Sequence, residues 1–360
     1  MSLSVLDSRE VIAKIDLGNV LGSVEALPQQ CLDAWEMSQG ISIPDSYKQI
    51  DNIIMCGMGG SGLGARVIES VYSKELKVPL IRVNGYDLPA FANERSLISC
   101  SSYSGSTEET IQNANQAITK NLKWMAIGTG GKLLELAEEH KVPFYKIVPK
   151  FNPSNQPRMA IGYSVIGQLA LAAHAGIVSI DKKEIEEIAK VMSGVIDKTK
   201  VEVPENLNSA KKLAQAMKGK VIIYIAGEHL SGPIHVVNNQ QNENAKNISF
   251  DFQIPELNHH LMEGLKHPET NPKDVLFVFA FSKLYSPRVQ KRFELTKKVV
   301  EKNGISTFSI ELNAFSELSQ AFELIQLGAY ANLYLSILYG QNAAPIPWVD
   351  WFKDRMLSQS

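Results

Sequence analysis

Two stretches of this chain put glycine and hydroxyl residues where an apolar run gives way to a helical pattern. NIIMCGMGGSGLGARVIESV begins at Asn52 and LISCSSYSGSTEETIQNANQAI at Leu97. Each reads as strand, turn, helix. Side by side in a parallel sheet, they would aim two helix N-termini and many backbone N–H groups at one point, which attracts an anion. Gly60 and Ser61 in the first loop, with Ser102, Ser104, Ser106 and Thr107 in the second, offer close backbone approach and hydroxyl donors without a fixed charge. That chemistry suits a small phosphate that must bind and leave. The first loop has no lysine after its glycines, as a Walker loop requires, and Gly57–Gly62 only loosely overlaps a dinucleotide fingerprint. Taken singly, either loop could be an ordinary turn with Glu108 and Glu109 completing a first helical turn. The pair in one context favours a phosphate site.

Four further residues could carry chemistry. Glu243 stands in NNQQNENAKN, a run of amides with one acid. Such a run can be a solvated helix face, but it continues into Ile248, Phe250 and Phe252, too apolar for simple surface. A partly desolvated carboxylate there would have its pKa moved toward neutrality and could act as a general base. Arg158 follows Pro157 at the start of an apolar helix and is either an interdomain ion-pair partner or a cation that stabilises charge developing on a substrate oxygen. Lys353, in WFKDRM, carries the same two readings. His259 and His260 are neighbours on an extended segment, so one can face a site while the other faces water. No metal-ligand spacing accompanies them, so no metal is expected.

Composition bounds the class. The chain has 360 residues, 44% hydrophobic, enough for a large core and two domains. Lys+Arg number 36 against Asp+Glu 38, a net charge of -2, which supplies no basic field for nucleic acid. The N-terminal stretch lacks the apolar core of a signal peptide, and apolar runs such as Val275 to Phe281 are shorter than the roughly 20 residues of a membrane helix. A soluble cytoplasmic protein that binds no membrane is expected. Cys31, Cys56 and Cys100 are too few and too scattered for a disulfide framework or zinc site, and Cys56 and Cys100 read as buried small hydrophobes.

The pattern along the chain predicts an α/β protein of two doubly wound parallel-sheet domains with flanking helices. Residues 1–49 read as a helical segment packing on the first domain, 50–180 as that domain, and 181–208 as a polar bridge. Residues 209–343 form the second domain and 344–360 a tail that contributes to the active site. VIIYIAG from Val221 echoes IIMCGMGG, with Ile234 to Lys246 as the following helix. The second lobe lacks the Ser/Gly richness, so one phosphate site per chain is expected.

The ordered set MCGMGGSGLGA, SSYSGSTEET, QPR, NENAK, PELNHH and FKDR resembles the bifunctional phosphoglucose/phosphomannose isomerase family, built from two sugar-isomerase (SIS) domains. The resemblance runs from about Asn52 to the C-terminus. It implies reversible isomerisation of glucose 6-phosphate or mannose 6-phosphate with fructose 6-phosphate, with no metal or organic cofactor. It also implies that Gly60, Ser61, Ser102, Ser104 and Thr107 bind the sugar phosphate and that Glu243 moves a proton between C1 and C2. By the same resemblance Arg158 stabilises a cis-enediol(ate), while His259, donated by the other subunit of a homodimer, and Lys353 assist ring opening. One departure bears on mannose 6-phosphate: Ile346 stands where family members often carry a hydroxyl residue.

Two other readings remain at this stage. A non-catalytic SIS module that senses a phosphosugar would keep the serine loops without needing Glu243, Arg158 and His259. Another phosphosugar enzyme of the same fold, an amino-sugar isomerase or a deaminase, would share the anchor and differ in its catalytic set.

Overall fold

The computed structural model describes residues 4–357. Period-2 alternation sorts the first lobe into layers. On β1 (Asn52–Gly57), Ile53 and Met55 enter the core shared by both lobes, whereas Ile54 and Cys56 enter a smaller core on the opposite face. A strand buried on both faces must be apolar throughout, so IIMC reads as a continuous run. With β2 (Leu80–Val83), β3 (Ser96–Ser101), β4 (Lys123–Gly128) and β5 (Phe144–Lys146) it forms a parallel sheet in the order β2-β1-β3-β4-β5. Helices Glu108–Thr119 and Gly131–Glu139 contribute to the smaller core.

The second lobe repeats the plan. β6 (Val221–Gly227), β7 (Ser249–Ile254), β8 (Val275–Ser282) and β9 (Ser306–Leu312) pair in parallel in the order β7-β6-β8-β9. The sequence reading did not assign β7 as a strand. Its burial follows no simple alternation, with Phe250 exposed and Phe252 half-buried, because it lies at the sheet edge.

Between the sheets lies a layer of helices. Leu63–Val71 packs on Ile161–His174 and on Ser231–Gln240, and the last of these packs on Glu317–Leu338. Glu317–Leu338 has 22 residues and is long and apolar enough to cross a membrane, but 83% of its most apolar stretch is buried inside the protein. The sequence pattern marks a long apolar helix from Glu317 to Tyr339, as found, and its polar residues explain its place in the interior. Gln320, Gln326 and Asn332 donate to the carbonyls of Ala314, Val24 and Val237, pairing side-chain N–H groups in the interior, while Gln326 Oε1 and Asn332 Oδ1 stay buried without a partner. Lys182–Thr199, in the stretch read as a polar bridge, begins with a capping box between Asp181 and Glu184. Its Ile185, Ile188 and Met192 join the shared core, where it packs on Leu27–Ser38 and Glu317–Leu338. Cys31, Cys56 and Cys100 are buried and unpaired, with Cys56 opposite Cys100 on β1 and β3.

The lobes approach closely at Gly232, where an added Cβ would lie 2.2 Å from the Arg66 carbonyl oxygen. Gly232→Ala should therefore force apart Leu63–Val71 and Ser231–Gln240 and lower stability by about 1–3 kcal/mol. Chemical denaturation of the variant against the parent measures that loss.

Candidate active site

In an open parallel sheet the strand order reverses at one crevice, and ligands bind there, beyond the carboxyl ends of the strands. In the first sheet that point lies between β1 and β3, the strands that feed the two hydroxyl-rich loops. The loops are stitched together: Ser61 Oγ accepts from the Tyr103 backbone N–H at 2.8 Å. Ser102 is fully buried, and its Oγ accepts from the N–H groups of Gly105 and Thr107 while bonding Thr107 Oγ1 at 2.7 Å. Gly105 has φ +70°, and a Cβ there would lie 1.7 Å from the Gly130 carbonyl oxygen, so only glycine fits. Ser104 and Ser106 stand exposed with their hydroxyls 2.9 Å apart. Thr107 makes no side-chain cap, leaving first-turn N–H groups of the 12-residue helix Glu108–Thr119 for a ligand.

The corresponding position in the second lobe is filled from within. Glu228, at φ +43°, accepts from the Ser286 N–H at 3.0 Å and Ser286 Oγ at 2.6 Å, at the start of helix Pro287–Lys302. A carboxylate already sits where an external anion would.

The first loop rests on the turn Pro157–Met159: a Cβ on Gly60 would lie 3.1 Å from the Arg158 backbone nitrogen. Arg158 is only 1% exposed, and acceptors surround its guanidinium. Nε donates to Asn244 Oδ1 at 2.5 Å, and Nη1 to Gln156 Oε1 at 2.9 Å and Glu243 Oε2 at 3.4 Å. Nη2 donates to the carbonyls of Ala343 and Ala344 at 2.9 and 2.7 Å. Those five contacts match the five N–H donors of the group. Burial pulls the Arg158 pKa down, opposed by Glu243 and Asp350.

Glu243 lies on a wide π turn, Gln241–Ala245, that follows helix Ser231–Gln240. A continuous helix from Ile234 to Lys246 was expected. The wider turn instead carries Asn244 and Glu243 to Arg158, and such turns often mark functional sites. The amide run is not a solvated face, because Gln240, Gln241 and Asn244 are fully buried. Asn242 Nδ2 bonds Ser249 Oγ at 2.8 Å, joining the turn to β7. The Glu243 side chain keeps 30% exposure. Its pKa is raised by desolvation, against the opposing charges of Arg158, Lys353 and Lys246.

Lys353 lies on the exposed helix Pro347–Leu357 and acts electrostatically on Glu243. Glu243 thus feels both Arg158, whose turn lies against the first loop, and Lys353. His259 does not join them within this chain. It is exposed in the turn Glu256–His259, beyond the C-terminal end of β7, whereas Glu243 precedes that strand. Asn244, Gln156 and Lys246, which also build the site, were not singled out from the sequence, although each lies within three residues of one that was. Among the described residues no group of three or more His, Cys, Asp or Glu side chains could hold a metal ion. A desolvated carboxylate beside a buried guanidinium, next to a hydroxyl-rich loop at the switch point, has the chemistry to move a proton adjacent to a carbonyl and hold the resulting negative oxygen.

Comparisons with known proteins bear on this geometry. Residues 206–356 match the bacterial phospho-glucose isomerase C-terminal SIS domain. A bifunctional phosphoglucose/phosphomannose isomerase from Caldicellulosiruptor bescii is 34% identical over 344 residues, covering 93% of this chain and 98% of its own. One of the same name from Aquifex aeolicus is 29% identical, covering 84% and 90%. A hypothetical protein from Thermus thermophilus superposes with a TM-score of 0.75 at 17% identity, covering 98% and 93%, a likeness of fold.

The opposing influences on Glu243 make a testable titration. Its carboxyl resonance, followed by carbon NMR, should titrate above the ordinary carboxylate range. Arg158→Met should raise that pKa further, since the largest opposing charge is removed while the desolvation remains.

Proposed function

This chain belongs to the bifunctional phosphoglucose/phosphomannose isomerase family, and we propose that it interconverts glucose 6-phosphate and mannose 6-phosphate with fructose 6-phosphate using Glu243 as the base. The observation that carries this reading is the Glu243–Arg158 pair, a carboxylate with a raised pKa 3.4 Å from a buried guanidinium. The first-lobe loops hold the phosphate, with Gly60 and Ser61 in one, and Ser104 and the Thr107 helix start in the other. Ser102 supports this anchor by shaping its loop through Gly105 and Thr107. With the phosphate fixed, the sugar lies across the Pro157–Met159 turn toward the second lobe.

The open-chain aldose presents a C2 proton made acidic by the adjacent C1 carbonyl. Glu243 takes that proton, and negative charge gathers on the oxygen, where Arg158 stabilises it. Return of the proton to C1, with proton exchange between the oxygens, gives the ketose. The carbonyl supplies the acidity, so this proton transfer requires no separate cofactor. Protonation of C2 from either face in the reverse direction yields glucose or mannose stereochemistry. Ile346, half-buried just before helix Pro347–Leu357, is an apolar neighbour for the epimeric end rather than a hydroxyl partner. Lys353 assists opening of the sugar ring through its oxygens.

His259 is the second ring-opening residue and comes from the other subunit of a homodimer. The six-residue strand β7 supports this division. At about 3.3 Å per residue, it separates the Glu243 side of the lobe from the His259 side by roughly 20 Å. The reading carries with it a cytoplasmic homodimer working between glycolysis and gluconeogenesis.

A coupled assay on both aldose phosphates tests the base. Glu243→Gln should abolish isomerisation and retain sugar-phosphate binding, because the amide keeps the shape but cannot take the proton; wild-type turnover would remove Glu243 from the mechanism. The subunit arrangement has its own test. Mixed dimers of His259→Ala and Glu243→Gln chains should regain activity, with about one competent site in each heterodimer, and no recovery would mean that both residues serve one chain.

A further inference from the structure

Lys246 follows the π turn with a left-handed backbone, φ +49°. Its Nζ donates to the carbonyls of Asn244 at 3.3 Å, Asn342 at 3.2 Å and Ala343 at 2.7 Å. An ammonium has three N–H groups, so these three carbonyls satisfy it. The Ala343 carbonyl is also the one that Arg158 Nη2 holds at 2.9 Å. Two cations from different segments therefore converge on one backbone oxygen, four residues before helix Pro347–Leu357 begins. Arg158 and Glu243 are the charged groups that act on Lys246; Lys353 acts on Glu243, and Asp350 on Arg158.

We propose that Lys246 is a positioning residue for the isomerisation. Its ammonium and the Arg158 guanidinium share the Ala343 carbonyl, and this grip holds the C-terminal segment, with Lys353, against the Glu243 turn. The proposal rests on Glu243 as the base. Burial, joined by the repulsion of Arg158 and opposed by Glu243, lowers the Lys246 pKa from the usual lysine range to about 8. Above that pH a neutral amine offers two donors to three carbonyls, and Glu243 loses one of its three opposing cations.

The test is the pH dependence of kcat/KM toward fructose 6-phosphate for the full-length wild type, Lys246→Met and Lys246→Arg. Wild-type activity should fall above about pH 8, as the ammonium loses its proton. Lys246→Met should lose this limb, lower kcat about tenfold with KM changed less than about threefold, and move the acid limb upward by about half a unit. Lys246→Arg, which stays charged, should restore the acid limb and extend activity beyond about pH 9. An acid limb unmoved in Lys246→Met, or a limb near pH 8 unchanged in Lys246→Arg, would overturn the proposal and leave Lys246 a packing residue. If Lys246→Met fails to fold, Lys246→Arg alone decides. Failure of the base assignment looks different, since Glu243→Gln would then remain active whatever the Lys246 variants do.

Discussion

A buried guanidinium is tolerated only if its charge and its donors are matched, and here matching Arg158 organises the protein. Removing an ionised group from water costs several kcal/mol unless paired and hydrogen-bonded. The acceptors come from separate parts of the chain: Gln156 from its own turn, Glu243 and Asn244 from the second lobe, and Ala343 and Ala344 from the C-terminal segment. Three distant segments must therefore arrive together for the arginine to be satisfied. The same convergence leaves Glu243 desolvated but still ionisable, which ties the stability of the junction to its chemistry.

The two ends of the site are built by different means. At the end proposed for the phosphate, the loops are held by backbone geometry and internal hydroxyl bonds, with Gly105 at positive φ against Gly130 and Ser61 bound to Tyr103. Hydroxyl and backbone donors of this kind carry no fixed charge, which suits an anion that must bind and leave. At the reacting end, side-chain charges sit close together and shift one another's proton affinities. The lobes share an architecture but not a role, because Glu228 fills the switch point of the second lobe from within.

Much of this could be read from the chain. The alternation of IIMC and VIIYIAG with helical stretches predicted two parallel sheets, and the Ser/Gly runs marked the crevice where the strand order reverses. Arg158, Glu243 and Lys353 stood out as isolated charges or through the family pattern. The π turn did not, because NNQQNENAKN is equally compatible with a regular helix until Asn242 bonds Ser249 and Asn244 bonds Arg158. Lys246 escaped notice for the same reason: a lysine in a polar run reads as solvated, and although the residue stays exposed, its ammonium reaches three carbonyls.

Periodicity, turn chemistry and residue type are local properties, so strands, helix starts and the hydroxyl-rich loops are legible one segment at a time. Which charges meet is not local. The Arg158–Glu243 contact joins positions 85 residues apart, and the grip on Ala343 reaches 185 residues from Arg158 and 97 from Lys246. Those distances close only when the helices between the sheets pack, and packing also sets how far each charge is withdrawn from water. The letters named the groups; burial and convergence raised the proton affinity of one of them and made its neighbours the charges that tune it.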